Sequence, residues 1–239
     1  MLRLYVGFDP REAAAYHVFC QSVLDRASVP VAFVPLHKPM LAGFDGQRDG
    51  TNAFIFSRYL IPSLQGFAGW ALFADGDMIV RQDIAKLWAL RDEAKAVQVV
   101  QHDYRTRHPR KYVGTPIEND NLDYALKNWS SVVLWNCGHP SNRLLTREFV
   151  EDAGGTFLHR FQWLHDAEIG ALPDEWNVLV GEQHGTPALA HYTLGVPGFS
   201  MYRQEPYADE WAATYLRAIN LIGEPPAAVT RWAVEETCG

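Results

Sequence analysis

Trp70-Ala71-Leu72-Phe73-Ala74-Asp75-Gly76-Asp77-Met78-Ile79-Val80 is the stretch on which the reading of this chain turns. The apolar run at 70–73 predicts a buried strand, and it leads straight into two carboxylates separated by one residue. In extended backbone, residues two apart face the same side, so Asp75 and Asp77 point together. Gly76 lets the backbone turn there and approach a ligand closely. Left unneutralised, the two carboxylates repel each other. A divalent cation relieves that repulsion and keeps coordination sites for phosphate oxygens. A solvated Asp-Gly turn is the plain alternative. It fits less well, because the apolar Met78-Ile79-Val80 places the pair between two buried segments.

Outward from this stretch, strand-like and helix-like segments alternate, which predicts an α/β class. Leu2 to Phe8 reads as a buried strand, and Val31 to Val34 as a second. Arg11 to Ala27 reads as a helix with one apolar face (Ala15, Tyr16, Phe19, Cys20, Val23, Leu24). Asp9-Pro10-Arg11-Glu12 reads as its N-cap, a Pro at the first position and a capping-box Glu. Gly43 to Gly50 is a glycine- and aspartate-rich loop. Asn52 to Leu64 reads as a second helix capped by Thr51 or Asn52. Ala96 to Val100 and Ser131 to Trp135 are further strands. His102 to Asn128 is a polar, irregular excursion over the sheet. From about Pro206 onward the chain reads as a helical tail broken at Pro225-Pro226. Open α/β sheets bind ligands at the carboxyl ends of their strands. Asp9, Asp75, Asp77 and His102-Asp103 all fall at such ends.

Composition narrows the class. The chain has 239 residues, of which 48% are hydrophobic, 13% aromatic and 21% charged. Such a chain can bury a sizeable core, which excludes wholesale disorder. A net charge of -7 argues against unspecific nucleic-acid or anionic-membrane binding. Cys20, Cys137 and Cys238 are few and far apart, so they read as reduced thiols rather than a disulfide or zinc framework. No apolar run approaches the roughly eighteen residues of a membrane span, and the start lacks a secretory-type apolar core. The expected location is cytoplasmic, where the Asn128-Trp129-Ser130 sequon carries no glycan. Gly7-Phe8-Asp9-Pro10 after the first strand is not the Gly-x-Gly-x-x-Gly of a dinucleotide oxidoreductase.

Asp-x-Asp after a buried strand occurs in nucleotide-sugar glycosyltransferases and in haloacid-dehalogenase-type phosphatases, where the first Asp is the nucleophile. The phosphatase motif usually lies on the first strand, and the chain lacks the downstream Gly-Asp-x-x-x-Asp that would complete it. The longer pattern is more specific. Phe56-Ser57-Arg58-Tyr59-Leu60-Ile61-Pro62, followed by the 70–80 stretch and Ile84-Ala85-Lys86-Leu87-Trp88, resembles the GT-A-fold glycosyltransferases, in particular their family 8 (relatives of glycogenin and of bacterial lipopolysaccharide glycosyltransferases). Lys127 to Asn136, His165-Asp166-Ala167-Glu168-Ile169, Leu172-Pro173-Asp174-Glu175-Trp176-Asn177 and Ala190-His191-Tyr192 continue the resemblance in order across residues 2–200.

The resemblance implies a GT-A (Rossmann-like) mixed, mainly parallel sheet flanked by helices. Residues 1–205 would form the catalytic domain and 206–239 a helical tail. It implies a UDP-sugar donor, a divalent metal and transfer with retention to a saccharide or glycoconjugate acceptor. A homo-oligomer is compatible with it, as is a module that binds nucleotide-sugar without turnover. Asp75, Asp77 and His191 would ligate the metal, and two carboxylates plus an imidazole suit Mn²⁺ better than Mg²⁺. Gly7 and Asp9 would lie by the uracil, and Arg58 by the phosphate or ribose. Gly76, Ser130, Ser131 and Gly195 would line the donor, and Asp166 would act at the reacting centre, with Glu168 the other carboxylate nearby. Trp129, Trp135, Phe161, Trp163 and Trp176 are aromatic candidates for the acceptor side. Two departures stand out. Ser130 replaces the family's Asn beside the sugar. The Lys that clamps the diphosphate after the His-Tyr pair is missing, with Tyr202-Arg203 the nearest basic candidate.

Overall fold

The computed structural model describes residues 1–41, 43–44 and 54–219. The main sheet has six strands in the order β2-β1-β3-β8-β5-β9. They are β1 (Leu2–Gly7), β2 (Val31–Leu36), β3 (Trp70–Ala74), β5 (Val97–Val99), β8 (Val132–Asn136) and β9 (Ile169–Ala171). β1 runs parallel to β2 and β3, and β5 parallel to β9, while β8 is antiparallel to both of its neighbours, β3 and β5. A smaller sheet joins β10 (Val178–Leu179), β11 (Leu189–His191) and β4 (Met78–Val80). The mixed, mainly parallel sheet flanked by helices is the GT-A architecture expected from the sequence.

Strand alternation builds the core. On β3, Ala71 and Phe73 face one apolar cluster, whereas Leu72 and Ala74 face the other. The first cluster is covered by α2 (Ile61–Leu64), α4 (Arg147–Asp152) and α5 (Gly155–His159), through Ile61, Val150 and Leu158. The second is covered by α1 (Ala13–Leu24) and α3 (Ile84–Trp88), through Phe19, Val23, Ile84 and Leu87. Burial on both faces explains why these strands read as apolar runs rather than alternating ones. Of the aromatic acceptor-side candidates, Trp135, Phe161 and Trp176 are buried core residues, and Trp129 and Trp163 pack partly against the core.

Several boundaries differ from the sequence reading. α1 begins at Ala13, after a 3-10 turn at Pro10–Glu12. Asp9 caps that turn through Arg11 N at 3.0 Å, but no capping box forms, because the Glu12 side chain turns inward to Tyr112. The second helix is a 3-10 turn, Ser57–Leu60, followed by the short α2. Its expected caps, Thr51 and Asn52, lie outside the described residues, as do most of the 43–50 loop and the Pro225-Pro226 break. The excursion 102–128 carries only a two-residue ladder between β6 (Arg110–Lys111) and β7 (Asn119–Asp120). Of the tail, α6 (Ala208–Ile219) docks on the body with Trp211 buried, and its Glu210 pairs with Arg26 and Arg81.

β4 continues the chain directly out of the Asp75–Asp77 loop, so its placement sets that loop. One edge of β4 pairs with β11. The other edge faces α1, where Ser22 Oγ accepts from Val80 N at 2.9 Å and donates to Phe19 O at 2.7 Å. Ser22 is fully buried. Ser22→Ala removes that acceptor and strands a buried N–H. It should cost about 1–3 kcal/mol of stability, read as a lowered urea midpoint with an unchanged slope.

Candidate active site

The carboxyl ends of β1, β3 and β5 and the amino end of the antiparallel β8 meet at one edge of the sheet. A cleft of about 300 Å³ opens there, with Arg58, Asp75, Asp77, Ser130, Ser131 and His191 on its wall. Close backbone packing makes the acidic loop. A Cβ on Gly76 would stand 2.5 Å from the carbonyl oxygen of Gly7, so only glycine fits between the β1 and β3 ends. A Cβ on Gly7 would in turn collide with the Phe54 ring. Asp75 N donates to Ser131 O at 2.9 Å, and Tyr192 N donates to Asp77 O at 2.9 Å. The loop is thereby tied to β8 on one side and to the end of β11 on the other.

One carboxylate oxygen from each of Asp75 and Asp77 and one ring nitrogen of His191 lie within 4.8 Å of one another. All three residues are buried, at 8%, 7% and 2% exposure. Arg58 Nη2 pairs with Asp75 Oδ1 at 2.9 Å, and His191 Nε2 lies 3.3 Å from Asp77 Oδ1. Neither carboxylate oxygen has a well-directed hydrogen bond among the described residues. Burial drives the Asp75 pKa up to about 6, against the pull of Arg58 and with the push of Asp77. For Asp77, burial also acts upward, but His191 with a proton on Nε2 outweighs it through charge and hydrogen bonding and the pKa falls.

A second layer fixes the imidazole. Ser131 Oγ donates to Asn128 O at 2.6 Å and accepts from Asn177 Nδ2 at 2.8 Å. The amide of Asn177 is thereby oriented with Oδ1 toward His191 Nδ1, 2.9 Å away. Nδ1 must donate to that oxygen, which leaves the lone pair of the neutral ring on Nε2. A lone pair facing a carboxylate oxygen at 3.3 Å needs a cation between them, either a proton or a metal ion. The donor set therefore fits a divalent ion. In the sequence Asn177 belongs to a stretch of the family resemblance and Ser131 lies by the donor, but nothing there joins either to His191.

The excursion supplies the rest of the wall. Tyr112 is buried with φ +54°, an uncommon conformation for a bulky residue. This backbone sends its hydroxyl to 3.4 Å from both Asp77 Oδ2 and Glu12 Oε1. Glu12 is the third acid of the cluster. Burial, then Asp77 and Asp9, hold its pKa well above the usual carboxylate range. In the sequence Glu12 reads only as a capping-box residue, and Tyr112 does not stand out.

Other expected site residues sit differently. Arg58 is held by Asp75 and donates to Ser130 O at 2.8 Å and Ile55 O at 3.1 Å, with Phe73 beneath its guanidinium. Asp9 is clasped by Arg11, whose Nη2 lies 2.6 Å from Oδ2, and is absent from the cleft wall. Gly195 packs against the Tyr202 ring. Asp166 is exposed on the turn that leads into β9. β9 runs parallel to β5 with Ile169 opposite Val97 and Ala171 opposite Val99, so its start lies at the sheet edge away from the cleft. Ala96 N confirms that placement by donating to Glu168 O at 2.9 Å. Asp166 instead borders a separate hollow with Trp129 and Arg160.

His159 stands on the cleft wall beside Ser130. Its Nδ1 lies 2.9 Å from the Tyr59 hydroxyl and 3.0 Å from Ser130 Oγ. Burial, helped by Arg58, lowers its pKa to about 3.

No family model matches the chain. Solved glycosyltransferase structures share its fold. The galactosyltransferase LgtC with donor and acceptor sugar analogues superposes with a TM-score of 0.56 at 13% identity, over 97% of this chain and 100% of that one. The apo form of GlyE from Streptococcus pneumoniae gives 0.58 at 14%, over 98% and 61%. The bifunctional WbbM gives 0.55 at 15%, over 90% of this chain, which spans about half (49%) of WbbM.

The folded pKa of His159 lies below its ordinary value near 6.5, so the folded state resists protonation there. Stability from this group is complete above about pH 6.5 and is lost as pH falls toward about 3. Between pH 7 and 5, wild type should lose about 2 kcal/mol more than His159→Gln. Equal losses in paired urea titrations would contradict that assignment.

Sequence relatedness goes further than shared fold. Protein CDI of Arabidopsis thaliana is 42% identical over 222 residues, covering 87% of this chain and 84% of that protein. The chain belongs to the Protein CDI family.

Proposed function

We propose that the protein is a divalent-metal-dependent glycosyltransferase that takes a UDP-sugar as donor and a saccharide or glycoconjugate as acceptor. One observation carries this reading. Asp75, Asp77 and His191 converge at the ligand-binding edge of a glycosyltransferase fold, and one buried oxygen of each aspartate has no well-directed hydrogen bond among the described residues. Asp75, Asp77 and His191 would hold the ion, with Mn²⁺ favoured by the nitrogen ligand. The ion would neutralise charge developing on the leaving diphosphate.

The chain's own groups prepare that site. Arg58 holds Asp75 in place, Tyr112 reaches Asp77, and Asn177 keeps His191 in the ligating tautomer. Ser130 and His159 bring a hydroxyl and an uncharged imidazole to the cleft wall, the kind of groups that recognise sugar hydroxyls. Asp9 and Gly7 remain the uracil-side candidates, and Gly195 a late-segment one. Asp166 lies apart from the cleft and takes no role at the reacting centre in this reading. Retention of anomeric configuration is part of the proposal and is read by NMR of the first-formed product.

UDP and Mn²⁺ together should raise the melting temperature by about 5–10 °C at hundredfold excess over Kd, and either alone by less. A UDP-hexose panel should show slow UDP release that falls on the order of a hundredfold or more in Asp77→Asn. Binding without release in wild type would leave only a nucleotide-sugar-binding module. No response to any nucleotide would overturn the proposal.

A further inference from the structure

We propose that Lys111, carried on the excursion over the sheet, is the cation that grips the donor's diphosphate. This inference rests on the glycosyltransferase reading and assigns a group to its donor subsite. Among the described residues, the Arg and Lys side chains on the cleft wall are Arg58, Lys111 and Lys127. Arg58 is committed to Asp75 and to two backbone carbonyls. Lys127 donates to Asn121 Oδ1 at 2.7 Å and stands 3.8 Å from Asp123. Lys111 Nζ has no hydrogen bond or ion pair among the described residues and stands 5.7 Å from the centre of the Tyr112 ring. Its three donors are therefore available to a ligand.

Its surroundings suit an anion only once the acids are neutralised. Burial lowers the Lys111 pKa, while Asp77, Asp75 and Glu12 act to raise it, so the ammonium stands in the field of the acid cluster. A divalent ion between Asp75 and Asp77 cancels that field and leaves Lys111 as surplus positive charge facing the cleft. A diphosphate bridging ion and ammonium then completes both. The position is held firmly. Next to Lys111, Tyr112 N donates to Leu194 O at 2.6 Å, Val113 N donates to the Tyr202 hydroxyl at 2.7 Å, and the β6–β7 ladder pairs Lys111 with Asn119. Arg203, the basic residue nearest the late His-Tyr pair in sequence, is exposed and absent from the cleft wall.

Calorimetric titration of the whole protein tests the assignment, with Mn²⁺ alone and then with UDP or inorganic pyrophosphate on the Mn²⁺-loaded protein. Lys111→Met should weaken both diphosphates about ten- to hundredfold. Its Mn²⁺ affinity should stay equal or rise, because a repelling cation has gone. Lys111→Arg should recover most of the diphosphate affinity, and Lys111→Gln, run alongside, repeats the loss with a polar side chain. Wild-type-like diphosphate binding in Lys111→Met overturns the proposal, and so does an equal loss of Mn²⁺ and diphosphate, which marks a structural role. Wild type that takes pyrophosphate but not UDP defeats the nucleotide-sugar reading, and the pyrophosphate arm then decides Lys111 alone. Wild type that takes neither defeats both.

Discussion

Two carboxylates buried side by side repel each other, and the cost of keeping them so is the constraint around which this protein is arranged. Asp75 and Asp77 are nearly solvent-free, and Glu12 adds a third acid to the same wall. The fold answers with Arg58 against Asp75, His191 against Asp77, and the single Tyr112 hydroxyl set 3.4 Å from both Asp77 and Glu12. The compensation is incomplete, since one oxygen of each aspartate lacks a directed hydrogen bond. A deficit of this kind, at the ligand edge of the sheet, is one that a bound cation would make good.

Topology supplies the geometry. β3 delivers Asp75, the turn through Gly76 delivers Asp77, and β4 leaves at once to pair with β11, whose last residue is His191. The antiparallel β8 brings Ser130 and Ser131 to the same edge from the opposite chain direction. Asn177, just before β10, then spans Ser131 and His191. Each ligand is thus placed by a strand end, and the imidazole's tautomer is fixed by a hydrogen-bond chain that ends on a backbone carbonyl. Sites held on strand ends keep their geometry better than sites on free loops.

The parts of this arrangement that follow short-range rules were legible in the sequence. The apolar run placed Asp75 and Asp77 at a strand end, although a turn through Gly76, not the alternation of extended backbone, brings them together, and buried strands at 2–8, 70–73 and 131–135 follow from their apolar runs. His191 was readable mainly through family resemblance, because a lone histidine in an apolar strand is more often a core residue. Partners joined across many residues were not readable: Asn177 with Ser131, or Tyr112 with Glu12. Lys111 was hidden for a different reason, since the 102–128 excursion has no periodicity that says which side chains turn inward. Asp166 shows the opposite failure. Its order along the chain matched the resemblance, but the parallel direction of β9 carries it away from the cleft.

The central claim is that Asp75, Asp77 and His191 together bind a divalent ion. Anomalous diffraction from crystals grown with Mn²⁺ and UDP tests it directly. The account predicts a manganese peak within coordination distance of both carboxylates and His191 Nε2, with His191 Nδ1 still on Asn177. An empty site under those conditions, or manganese bound elsewhere with Asp75 still paired to Arg58, would contradict it.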